Sequence, residues 1–351
     1  MSCRVFGLEP EAVYGDDVEK EDFHLLFDHD VDSMDFKLND EPVTKSFGSR
    51  MNQKARAGVI KPTGSIETSA NLQILGAYFY GFLDNYKFTA GNNGKNTHEF
   101  WGGESKLLKS FRGISVNDDL IFYLFGLLVD SMKLEVSSED MTLGADFIYK
   151  TELADILASE NDYERAEELE DDLFIMFYDV MLKLNGNDPA GVQTSFTFEG
   201  SNNHDVDKTI GFGYRHPQGQ AKANKRENSI SIVTTLTQET VRAILDARYG
   251  DVDLLEPAKC KILQVPLELH VELCEYPGQG LIIAFPKCTL LAEFDSSGID
   301  DVEATLNMAT LGSDKVELAD GTIPVDEDNH PITTDMYVKL IDKQPKIAPS
   351  N

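Results

Sequence analysis

Two stretches of this chain, far apart, repeat one local pattern, and that recurrence limits the possible folds more than any single residue does. Lys61–Phe82 reads KPTGSIETSANLQILGAYFYGF, a β-strand running directly into a short helix. Asn71 is placed to cap the helix, and Leu72, Leu75, Phe79 and Phe82 fall on one face at helical spacing. Asn228–Gly250 reads NSISIVTTLTQETVRAILDARYG. There Thr237 stands at the cap, Val241, Ile244 and Leu245 form the apolar face, and Gly250 sits where a helix ends. At 351 residues the chain has room for two domains of ordinary size, each with its own core.

Around each of these units the apolar pattern has period two, the signature of sheet. In the first block Asp35–Leu38 alternates, Leu107–Val116 is a strand, and Asn117-Asp118-Asp119 turns into Leu120–Phe125. Leu128–Val136 and Leu143–Tyr149 follow. The first ordered segment of the acidic N-terminus is expected at Phe23–Phe27. In the second block Thr194–Phe198 alternates and Leu267–Cys274 is a strand. The turn Tyr276–Gly280 leads to Leu281–Phe285, then a strand carrying Leu290, Ala292 and Phe294, then one carrying Val302–Met308. The tail from Gly312 adds a short hairpin and a final strand, MYVKLI. Both blocks share one order: strand, long basic loop, strand, helix, meander. The expected division is a first domain over 1–151 with an acidic N-terminal arm, a solvated acidic linker over 152–172, and a second domain over 173–351.

Composition narrows the function. Hydrophobic content of 41% and aromatic content of 9% suit a globular protein. No apolar run reaches the roughly 18–20 residues of a membrane span, and the N-terminus lacks the basic and apolar regions of a signal peptide. Cys3, Cys260, Cys274 and Cys288 lack CxxC or His-paired spacing, so free thiols in a reducing cytoplasm are expected. There is no GxSxG, P-loop or HExxH, hence no enzyme, cofactor or metal is expected. Gly211 and Gly213 form a GxG pair, but the chain runs on to Pro217 rather than into a phosphate-cradling helix. Asp28, Asp30 and Asp32 have the spacing that opens a calcium loop. Ser33 and Asn39, however, stand where that loop needs Gly and Glu, which leaves acidic surface as the reading.

A net charge of −30 argues against wrapping nucleic acid by phosphate neutralisation. Two stretches escape that acidity. Val43–Thr63 holds Lys45, Arg50, Lys54, Arg56 and Lys61 without an acid. Lys208–Arg226 holds Lys208, Arg215, Lys222, Lys225 and Arg226, again without an acid. Both run up to the repeated unit. A cationic arm on an anionic body suits docking onto another copy of that body, because complementary charge sets partner and register. These ten residues are the candidate subunit or ring-to-ring contacts.

The run GVIKPTGSIETSANLQILGAYFYGFLDNYKF, with HEFW, SFRGISV and LLVDSMKLEVSSEDMTLGADFIYK after it, resembles the tail tube proteins (major tail proteins) of long-tailed bacteriophages. FYDVMLKLNG, SFTFEGSNN and RENSISIVTTLTQETVRAIL look like the matching elements of the second half. The resemblance spans about Asp35 to Met308 and implies a mainly β fold, two tandem β-sandwich or barrel domains with a short flanking helix each. It implies a virion protein, made in the bacterial host cytoplasm, whose inner strands join side by side. Six such domains make a ring, and the rings stack into a hollow tube with DNA present only in passage. Two domains per chain then imply a pseudo-hexameric trimer, with a hexamer as the alternative. The implied partners are further copies, tape measure, terminator, baseplate and possibly sheath proteins. The competing readings are a tail terminator, a baseplate or hub protein, or a carbohydrate-binding module. Trp101, the sole tryptophan, speaks against the last.

Overall fold

The computed structural model describes residues 4–16, 23–40, 42–45, 54–91, 94–117, 120–156, 173–189, 192–235, 264–295 and 303–347. The first half holds β1 (Arg4–Pro10), β2 (Phe27–Asp30), β3 (Ser33–Lys37), β4 (Val43–Lys45), β5 (Lys54–Arg56), β6 (Thr63–Ser69), α1 (Leu72–Phe82), β7 (Asn85–Thr89), β8 (Asn96–Trp101), β9 (Phe111–Asn117), β10 (Leu120–Val136), β11 (Met141–Ile148) and β12 (Thr151–Ile156). The second holds β13 (Val180–Leu184), β14 (Gln193–Ser201), β15 (Glu227–Thr235), β16 (Gln264–Glu272), β17 (Gly280–Asp295), β18 (Glu303–Thr310) and β19 (Tyr337–Asp342). The protein is mainly β, as its period-two patterning demands, and every strand pairing among the described residues is antiparallel.

The meander differs from the sequence expectation in one instructive way. Leu120–Phe125 and Leu128–Val136 are not two strands but one, the 17-residue β10. Its first part pairs with β9 and β12, its last part with β11 and β14. Gly126 makes the change of sheet possible, because it takes φ +68°, a conformation that costs L-residues with a side chain. Glu11 holds the bend. Its carboxylate accepts from the Gly126 amide at 2.8 Å, the Gly15 amide at 2.9 Å and the Ser110 hydroxyl at 2.7 Å. Burial nevertheless pushes its pKa up. Likewise Leu281–Phe285 and the strand carrying Leu290 are one 16-residue β17. It crosses a bulge where Val265 and Leu267 face Cys288 and Phe285. Pro286, with no amide hydrogen to donate, sits inside that bulge.

Other boundaries move for physical reasons. β1 precedes the expected first segment. It hides from pattern reading because β2 and β9 flank it and both faces are buried. Its buried charged residue, Glu9, accepts from Arg112 Nη2 at 2.7 Å. Strand β9 starts at Phe111, not at Leu107. The opening of the expected linker, 152–156, belongs to strand β12, while 157–172 lies outside the described residues. The strand of the second repeated unit is present as β15, whereas its helix also lies outside them. Asp28 and Asp30 lie on β2, with Asp28 buried and Asp30 exposed, so they do not share a loop.

The core forms around α1. Asn71 caps it as expected, accepting from the Gln73 amide at 2.9 Å. The helix is not amphipathic in use, because all eleven residues are buried. Phe79 and Phe82 are fully enclosed, and each such side chain stabilises by roughly 1.5–3 kcal/mol. The face without large side chains is covered by the C-terminus. A Cβ on Gly76 would lie 3.2 Å from Leu340 and 3.4 Å from Ile347. A Cβ on Gly81 would lie 2.5 Å from Phe111, so both glycines are demanded by close packing. The tail is secured by β19, which pairs with β8. Tyr86 adds to this, its hydroxyl accepting from the Ile347 amide at 3.0 Å.

Candidate assembly surface

Residue-level pairing runs without interruption through eight strands in the order β3, β6, β11, β10, β14, β15, β18, β17. The middle junction joins the two halves, Ser131–Val136 of β10 against Phe196–Ser201 of β14. Among the described residues β3, at one end, pairs only with β6, and β17, at the other end beyond Thr289, pairs only with β18. Outside the β4–β5 hairpin, sixteen pairings link seventeen strands, so no circuit of strands closes among the described residues. Two open edges of one sheet are an unsatisfied pairing template.

The halves are wired alike. The pairings β1·β9, β9·β10, β10·β11, β11·β6, β6·β3 and β10·β12 have counterparts in β13·β16, β16·β17, β17·β18, β18·β15, β15·β14 and β17·β19.

One face of the eight-strand sheet packs on the core through Ile66, Met132, Leu134, Leu143, Phe196, Phe198, Ile230 and Leu306, all buried. The other carries short polar and acidic side chains. Register places Asp35, Ser65, Asp146, Ser131, Ser201 and Glu227 in one row across the strands. Ser33, Glu67, Gly144, Lys133, Glu199 and Ser229 form the next row, and Ser69, Thr142, Glu135, Thr197 and Ser231 a third. Lys133 stands among Glu135, Glu199 and Glu67. Its bond to Glu135, at 2.6 Å, leads these in pushing its pKa up. In these rows six carboxylates accompany a single lysine, so the face is anionic.

The ten cationic residues predicted as contacts fall into two groups. The first stretch holds the β4–β5 hairpin, which among the described residues pairs with no other strand. Lys45 and Lys54 are register partners at its stem, Arg56 is exposed, and Arg50 lies outside the described residues. The second stretch is no free arm, because it folds onto the base of the first. Arg215 donates to the Gly58 carbonyl at 3.0 Å and to both Asp40 oxygens at 2.8 and 2.7 Å, while Ile60 N–H donates to the Arg215 carbonyl. Lys61 pairs with Asp207 at 2.5 Å, and Lys208 pairs with Asp205. Arg226 reaches Asp335 at 2.6 Å and lies 3.9 Å from Asp84, clasping the two halves. Lys222 and Lys225 are exposed. Residue patterning found the cations but missed the open edges and the anionic face, whose only sequence signal is the recurrence of Ser, Thr, Asp and Glu at alternate positions of separate strands.

Among the described residues no helix is long and apolar enough to cross a membrane, and no His, Cys, Asp or Glu cluster could hold a metal ion. Cys274 is an exposed free thiol; Cys288 is buried, which pushes its pKa up to about 12. A family model described as phage tail tube protein matches residues 9–258. Among solved structures, one chain of a structure described as the virion of a native gene transfer agent (GTA) particle is 20% identical. That likeness covers 39% of this chain and 93% of that one, with a TM-score of 0.24. No curated protein matches.

Proposed function

The chain belongs to the phage tail tube protein family, and from that premise we propose that its copies join edge to edge into rings that stack as the hollow tube through which DNA passes. It is a structural component of the virion tail; how it builds the wall is the proposal. The observation that carries it is the junction between β10 and β14. There the first half of the chain ends its sheet on the second half, and among the described residues the composite sheet is left open at β3 and at the end of β17. Antiparallel pairing of β17 with β3 of a second copy repeats that junction and removes both edges. Such a contact is heterologous, so it closes only if the rotation per copy divides a full turn.

The matching pairings of the two halves support tandem tube domains, at about 1–151 and 173–351. Two per chain give a three-copy ring with six equivalent sheets. The anionic face of the sheet is the surface proposed for the lumen. Short hydroxyl side chains and carboxylates offer phosphates repulsion and few donors, so DNA slides rather than binds. The β4–β5 hairpin, with Lys45, Arg50, Lys54 and Arg56, is proposed as the contact with the next ring, and Lys222 and Lys225 as further cationic contacts. Tape measure, terminator, baseplate and possibly sheath proteins are the remaining partners.

Imaging of the purified chain tests this reading. Long hollow tubes with three chains per ring are expected. Six chains per ring would sink the tandem-domain count, single closed rings would indicate a terminator or hub, and discrete protomers would sink self-assembly altogether.

A further inference from the structure

Strands β12 and β19 occupy the same place in the wiring, each pairing with the first part of a long strand, β10 or β17. Their surroundings are opposite. The far edge of β19 is covered by β8 along Asn96–Trp101, and four of its six residues are buried. The far edge of β12 pairs with nothing among the described residues. Leu153, Ala154, Asp155 and Ile156 are all exposed, Leu153 at 49% and Ile156 at 70%. An edge strand open on both faces and carrying apolar residues is a template for another strand, and proteins normally cover or charge such edges.

The chain itself shows what covers the equivalent edge. Where the first half meets the second, it makes two strand contacts at once: β10 on β14 in the eight-strand sheet, and β8 on β19 in the outer layer. Both arise from the same placement of one half beside the other. If a second copy is placed by that same step, its second half lies against this chain's first half. One contact then falls on β3 and the other on β12.

We propose that the open edge of β12 is a second, outer docking strand, taken by the second half of a neighbouring copy as β8 takes β19. The proposal rests on the ring reading above. It adds that each boundary between copies is held by two strand pairings in two layers rather than by one, which fixes the tilt of one copy against the next as well as its register.

Hydrogen exchange read by mass spectrometry, on tubes and on protomers kept apart by dilution, tests it. Amides of 151–156 and of 33–37 are both expected to exchange at least tenfold more slowly in tubes. Slowing at 33–37 with unchanged exchange at 151–156 would overturn the β12 proposal and leave the ring reading standing. A chain that never assembles would overturn both. Leu153→Lys with Ile156→Lys provides a second readout, since both residues are exposed in the protomer and its melting temperature should not move. The concentration needed for tubes is expected to rise at least tenfold; tubes at the wild-type concentration would sink the proposal.

Discussion

Strands β10 and β17 solve one problem in two ways. Each is long, each leaves one sheet for another midway, and each pairs with a hairpin partner on either side in sequence. β10 turns at a left-handed glycine locked by Glu11 and by the ring of Tyr14. β17 turns through a bulge and a proline, with no positive φ within it. β10 is paired on both sides over its last six residues, and β17 over its last six is paired on one among the described residues. The bend in a strand is thus a requirement of the architecture, and several local chemistries meet it. The free flank is what distinguishes the half that ends the sheet from the half that continues it.

Breaking each bend gives the largest contrast. Gly126→Val forces a β-branched residue to φ +68° and sets its Cβ 2.9 Å from the Tyr14 ring. Backbone strain and overpacking together are expected to cost about 4 kcal/mol in urea unfolding. Lys287→Val, in the bulge of β17, should cost less than about 1 kcal/mol. Equal effects would break the contrast between the two bends.

The next effect belongs to the first half, whose β2 has no counterpart among the described residues of the second. His29 on β2 is fully buried, bonded to the Tyr78 hydroxyl at 3.2 Å, and burial lowers its pKa from 6.5 to about 4. The unfolded chain therefore binds a proton between those values and the folded chain does not. The stability from this group is full above about pH 6.5 and is lost as pH falls towards 4, by about 3 kcal/mol. His29→Gln should remove that part of the acid sensitivity, as read from urea midpoints at pH 7, 5.5 and 4.5. An unchanged pH profile would assign the loss to other groups.

Joining the halves should matter somewhat less. Arg226→Met removes the partner of Asp335 and a neighbour of Asp84, and losing charged hydrogen bonds of this kind costs about 2 kcal/mol. The smallest effect on stability is expected at the hairpin. Reversing Lys45, Lys54 and Arg56 to Glu should move the urea midpoint by less than about 0.5 kcal/mol while reducing tube length in the microscope. Unchanged tubes would remove the hairpin from the ring contact.

The sheet character, the α1 cap and the place of the cationic stretches were legible because period, capping and charge are local. What was not legible is non-local. Glu9 reads as a surface acid until Arg112, a hundred residues on, is placed beside it. Gly126 reads as a loop glycine between two strands, since nothing in LFGLL tells a turn from a bend. Arg215 and Arg226 read like Arg56, yet Asp40 and Asp335 engage them within the chain. The open edges of β3 and β17 could not be read at all, because an edge is defined by the absence of a neighbour.

Pairing of β19 with β8 brings residues 337–342 against 96–101. Strand β19 of the second half therefore finishes the layer over a helix of the first half, which is synthesised much earlier. Until then Gly76 and its neighbours lack their cover from Leu340 and Ile347, and the first half remains incomplete. The first half thus cannot complete its packing before the second half has been synthesised through β19.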